Sequence, residues 1–210
     1  MKEFPIKPVS VRGRCFRRVA GSNRVMTLQE IAQIHLNTVR QSWDQLLSVN
    51  ASIDDIEVKK VEWYLARREA VRNVTPQHDM EMKELLINIA GISREEHVPT
   101  HAGILFFGKS PQQFFPNAGL RLVKFKGTDV THPVINRQDC KGTLWEMVSF
   151  AEEFIRKNIR LFSFRRSTRF QRTDQFEYPL DALREAIING LIHRNYQELS
   201  DVRVFLFPET

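Results

Sequence analysis

Near the C-terminal end of the chain, Glu185, Asn189 and His193 recur at intervals of four residues. On a helix that spacing stacks the three side chains along one line. A carboxylate can take a proton, an amide can donate and accept hydrogen bonds, and an imidazole can do either near neutral pH. The line could therefore read a ligand, or it could be a polar face that water solvates. A second candidate is the run from Arg156 to Arg172, with seven basic residues in seventeen interleaved with aromatics. Arg165, Arg166, Arg169 and Arg172 in that run could contact phosphates or frame stacked bases. Strand alternation, with aromatics inward and a basic solvated edge, accounts for the same spacing without a ligand. His97 and His101 are four apart, but Pro99 between them blocks a regular helix and no third metal ligand is near. That argues against zinc.

Each set needs an element to hold it. Around Glu185, Pro179 suits the first helical position, Asp181 complements the positive helix end, and Leu180, Leu183, Ile187, Ile188 and Leu191 form a helical-period apolar stripe. The expectation is an amphipathic helix. Thr143 to about Ile159 reads as a longer one, with Leu144, Met147, Val148, Ala151, Phe154 and Ile155 on its core side. Leu120 to Lys126 alternates as a half-exposed strand does, and Asp201 to Phe207 reads as a further strand of the same sheet. Pro99 to Lys109 is an apolar run ending at glycine, followed by a short helical turn over Pro111–Pro116.

The first half reads as smaller pieces. Val9 to Val19 gives two short extended runs around a Gly13 turn, and Gly21 to Arg24 is a polar breaker. Such a hairpin presents unpaired edges, which are expected to recruit a second chain as a homodimer. Thr27 and Glu30 make a capping box for a helix whose stripe includes Leu28, Ile31, Ile34, His35 and Val39. There His35 reads as a packed side chain. A short turn at Ser42–Asp44, a helix through Val58, Val61, Tyr64 and Leu65 capped by Asp54 or Asp55, and a third from about Asp79 to Ala90 complete a connector.

Composition sets outer limits. A chain of 210 residues, 42% hydrophobic and 27% charged, can bury one moderate core or two small ones. Nothing in it approaches the roughly 20 apolar residues that span a bilayer, so no membrane partner and a cytoplasmic home are expected. Cys15 and Cys140 are too few for a disulfide framework and read as small buried side chains. A net charge of +6 permits a nucleic-acid partner without requiring one.

Three stretches carry a family resemblance. "ALREAIINGLIHRNY" and "PTHAGILFFGKSPQQFFPNAGLRLVKFKGTD" look like the module of RecG-like, helicase-related predicted transcriptional regulators, whose core is similar to the GHKL ATPases. "GRCFRRVAGSNRVMTLQEI" resembles the last hairpin and exit of the Schlafen-type Alba-like DNA-binding domain that commonly precedes it. The resemblance departs from the usual pattern at Gly190 (alanine), Asn195 (aspartate) and Ala20 (glycine). It implies an α+β fold, a mixed sheet layered with helices, divided as 1–26 hairpin, 27–97 helical connector and 98–210 first part of a GHKL-like module. It also implies ATP and Mg²⁺ as cofactors of the full-length protein and DNA as its partner. Glu185 matches the general base that orients water, Asn189 the Mg²⁺ ligand bridging to the phosphates, and His193 a further cofactor contact. The chain is expected to be a piece of a longer protein, because the aspartate and glycine motifs that hold adenine would follow Thr210. A site so divided leaves open whether the protein is an enzyme. No G-x-x-x-x-G-K-[ST] motif occurs, so nothing in the sequence supports a helicase motor.

Overall fold

The computed structural model describes residues 8, 10–38, 42–72, 80–165 and 172–208. The fold is α+β: two small antiparallel β-units and a mixed three-stranded sheet, with helices packed on the latter.

At the N-terminal end β1 (Ser10–Val11), β2 (Arg14–Val19) and β3 (Ser22–Val25) form an antiparallel meander. Arg12 and Gly13 both take positive φ in the first turn, as a two-residue hairpin that matches strand twist requires. The predicted breaker at residues 21–24 is instead mostly strand: the turn falls at Ala20–Gly21, and Ser22 pairs with Val19. Helix α1 (Leu28–Thr38) follows, and its capping box forms, with Thr27 N–H donating to Glu30 Oε2 at 2.9 Å and Glu30 N–H to Thr27 Oγ1 at 3.2 Å. His35 is exposed on this helix rather than packed, as are Leu28 and Ala32.

The connector consists of 3-10 turns at Trp43–Gln45 and Ile53–Asp55, then α2 (Val58–Arg72) and α3 (Met82–Asn88). Asp55 caps the 3-10 turn through Ser52 rather than α2 itself. The apolar run after Pro99 forms α4 (His101–Phe107), capped by Thr100, and α5 (Pro111–Phe114) starts on its proline. Ile104 and Phe107 of α4 pack with Ile56, Val61, Leu86 and Ile92 in one core, while Leu105 on its other flank enters the core under the sheet. Helix α4 thus contributes side chains to both cores.

In the main sheet β4 (Leu120–Phe125) is central, antiparallel to β5 (Val134–Cys140) and parallel to β8 (Val202–Leu206). A bulge at Lys124/Phe125 shifts the β4–β5 register. Between β5 and β8 the chain makes α6 (Leu144–Asn158), the hairpin β6 (Leu161–Arg165) with β7 (Arg172–Phe176), and α7 (Leu180–Ile192). All six predicted core positions of α6 are buried. Leu120 and Leu122 point into the same core, together with Cys140, Ile187 and Leu191. Cys15 and Cys140 are free and buried, and burial pushes the Cys140 thiol up to about 11.

Candidate functional site

Helix α7 presents its apolar side as the sequence requires: Ile187 and Leu191 are buried, and Leu180, Leu183 and Ile188 pack partly against the core. Glu185 and Asn189 lie two residues either side of Ile187, which at about 100° per residue places them on the opposite face. Both are exposed, and Asn189 Nδ2 stands 3.4 Å from Glu185 Oε1 as a donor. The carboxylate and amide are thus neighbours on an open helix face.

His193 does not extend that line. The helix ends at Ile192, His193 is its C-cap with N–H donating to Asn189 O at 3.0 Å, and its side chain borders a cavity of about 550 Å³. That cavity is lined by Trp43, Asp44, Phe106, Asn195 and Tyr196 among others, but neither Glu185 nor Asn189. The structure brings together two of the three candidates and turns the third into a different space.

The residues after His193 fix the end of the helix. Arg194 donates to three backbone carbonyls, Asn117 at 2.6 Å, Ser200 at 2.7 Å and Glu198 at 3.3 Å, and its guanidinium lies 4.8 Å from the Tyr196 ring centroid. Asn195 Oδ1 accepts from Gln197 N–H at 3.0 Å, a local turn that engages the oxygen a metal would want. Tyr196 donates to Leu191 O at 2.7 Å and stacks on Trp43 at 5.0 Å, and burial pushes its phenol up to about 12. Arg194 thus ties the end of α7 to the α5–β4 loop and Tyr196 ties it to Trp43, while both side chains and Asn195 also border the cavity.

His101 is half-buried between Trp43 and Phe115, with ring centroids at 4.3 and 4.9 Å. Burial holds its imidazole below the ordinary histidine range, against the opposing pull of the Trp43 and Leu47 carbonyls and the Asp44 charge. No group of three His, Cys, Asp or Glu side chains suited to a metal gathers among the described residues. In the basic run, Arg165 and Arg172 are cross-strand partners at the ends of β6 and β7. Their side chains, and all of Arg166 and Arg169, lie outside the described residues.

Sequence reasoning missed a tryptophan pair. Trp63 of α2 and Trp145 of α6 stack at 4.4 Å with planes 15° apart, and Trp145 Nε1 donates to Phe106 O at 3.0 Å. Trp63 is 48% exposed, a large apolar ring at the surface beside a second cavity. The signal was present as a tryptophan of helix 58–72 outside its Val58, Val61, Tyr64 and Leu65 stripe.

A family model described as a domain of unknown function (DUF8451) matches residues 32–121, a span that contains every member of the core built on α2, α3 and α4. No curated protein matches the chain. Among solved structures it is similar to the DIP2311 protein from Corynebacterium diphtheriae, at 20% sequence identity and a TM-score of 0.58. That likeness covers 93% of this chain and 37% of the other, so the chain spans well under half of its neighbour's length and shares with it a fold.

Proposed function

We propose that this chain is part of a cytoplasmic, DNA-associated regulator of the RecG-like type whose α/β module responds to ATP. The observation that carries the reading is the exposed Glu185–Asn189 pair, a carboxylate and an amide held side by side on one rigid helix. An amide oxygen and a carboxylate are hard donors of the kind Mg²⁺ accepts while keeping several waters and phosphate oxygens. Bound Mg²⁺ would neutralise phosphate charge. Asn189 would hold it, and Glu185 would orient and deprotonate a water. Neither side chain grips a base or excludes solvent, so tight binding needs groups besides these two.

Calorimetric titration with Mg²⁺-ATP on this chain, and on a version lengthened beyond Thr210, tests the reading. The expected result is little heat from the first and saturable binding by the second, with Asn189→Ala removing binding and Glu185→Ala sparing binding but removing phosphate release. A lengthened chain with neither heat nor release would leave an interaction scaffold as the better account.

DNA association has its own observation. Arg14, Phe16 and Arg18 alternate on one face of β2, and their cross-strand neighbours there are Val11, Val25 and Asn23, with no carboxylate. Arg17 and Arg24, on the opposite face, both pair with Glu30. Binding of duplex DNA at low salt that weakens steeply as salt rises, and that drops on replacing Arg14 and Arg18 with alanine, is the expected result. Affinity unchanged by that double replacement would remove the hairpin from the reading.

A further inference from the structure

The second cavity, of about 390 Å³, opens between α2, α6 and α7. Its floor is almost wholly apolar, made by Trp63, Phe106, Trp145, Val148, Ile188 and Leu191. Three polar side chains border it, Arg67, Ser149 and Arg184, and two of them are cations. Ser149 is already engaged, donating to Trp145 O at 3.1 Å. Arg67 follows Trp63 by four residues and so stands one turn along the same face of α2. It is exposed and has no ion-pair or hydrogen-bond partner among the described residues. Arg184, on α7 across the cavity, uses Nη1 to hold Glu152 at 2.6 Å and keeps its other donors. Volume, apolar lining and a few convergent polar groups are those of a small-molecule site.

We infer that this cavity is a binding site for a small aromatic carboxylate, its ring over the Trp63–Trp145 pair and its carboxylate between Arg67 and Arg184. The charge argues for the head group. A neutral apolar ligand would leave Arg67 and the remaining donors of Arg184 to water, whereas a carboxylate accepts from both and matches the fork geometry of arginine. The exposed tryptophan argues for the ring: stacked indoles offer a flat apolar surface that a planar ligand covers in an offset arrangement. The site is separate from the Glu185–Asn189 face and does not depend on the nucleotide reading.

Isothermal titration calorimetry of this chain with 1-naphthylacetate, and with the uncharged 1-naphthylacetamide of nearly equal shape, tests the inference. The acid is expected to bind at least about tenfold more tightly than the amide, the scale of one charge-assisted contact. Arg67→Glu should abolish that preference while leaving the unfolding midpoint in place, because Arg67 has no ion-pair or hydrogen-bond partner among the described residues. Ser149→Trp should fill the cavity and remove both ligands. Equal affinity for acid and amide, no binding of either, or a preference that survives Arg67→Glu would each overturn the assignment. The Arg67 variant decides the matter even if the bulky replacement at position 149 prevents folding.

Discussion

Two glycine-to-alanine replacements should move stability in opposite directions. Gly103 lies in α4 where that helix crosses the Gly91 turn, and a Cβ there would sit 1.9 Å from Gly91 O and 2.7 Å from Gly91 C. Both are backbone atoms, so no side chain can swing aside. The crossing is also stitched by Thr100, whose N–H donates to Gly91 O at 3.0 Å and whose hydroxyl donates to Ala90 O at 2.8 Å while accepting from Gly103 N–H at 2.9 Å. Relieving the clash means separating α4 from the turn and stretching those bonds together. Overpacking of a tight core costs about 1–3 kcal/mol, and the linked hydrogen bonds put Gly103→Ala at or above the top of that range, about 3 kcal/mol. For a chain of this size that is a fall of roughly 6–12 °C in Tm. Gly190, in the exposed part of α7, is the control: the nearest atom to its added Cβ is Val202 Cγ1 at an ordinary 3.6 Å. There alanine gains helix propensity, about 0.5–1 kcal/mol, and Tm should rise by a few degrees. Thermal and urea unfolding followed by circular dichroism measure both. A Gly103→Ala protein within about 1 kcal/mol of the parent would refute the close crossing, and a destabilised Gly190→Ala would refute the placement of α7 over β8.

Arg194→Ala should cost about 1.5–3 kcal/mol, since three carbonyls lose a charged donor, and hydrogen exchange should quicken first in residues 196–202. His101 has a folded pKa below its unfolded value near 6.5, so the neutral form favours folding: its contribution is full above pH 6.5 and is lost as pH falls through the lowered folded pKa. Urea midpoints at pH 7.5 and 5.5 should therefore differ more in the parent than in His101→Phe; equal differences would show that the imidazole is not responsible. Ala20 takes φ +53 in the β2–β3 turn, so Ala20→Gly should stabilise the meander by about 1 kcal/mol, read as slower exchange of its cross-strand amides. The same meander leaves Val11, Phe16 and Val25 exposed, and light scattering should show a concentration-dependent dimer that Phe16→Ser weakens; a strictly monomeric parent at high concentration would count against it.

What could be read from the sequence divides along physical lines. Helix α6 was legible almost to the residue because an amphipathic period is a local signal, and its capping box, equally local, was there to be read though only its apolar stripe was. Its N-terminus closes as those residues suggest, with Thr143 N–H donating to Glu146 Oε2 at 2.7 Å. The strand alternation of β4 and β8 was equally plain. The pairing of β8 with β4 in parallel register was not, because a crossover through five intervening elements leaves no trace in a local window. The cavities were invisible for the same reason, since Trp63 and Trp145 lie on helices far apart in sequence and meet only when α4 fixes the connector against α6.

The motif residues show how this limit bears on function. In Asn189–Tyr196 the sequence offers a row of polar and aromatic side chains that could all face one ligand. Folding sorts them. Leu191 enters the core, Arg194 and Tyr196 tie the helix end to the α5–β4 loop and to Leu191 O, and Asn195 closes its own turn. Trp43, stacked on Tyr196, then couples that helix end to the connector, so a shift of α7 cannot occur without moving either the indole or its phenol partner. Only Glu185 and Asn189 among the named chemistry-bearing groups of this helix remain on its outer face, which is why the nucleotide role proposed above rests on two residues, and why Arg194 and Tyr196 variants should fail first in stability and only through it in binding.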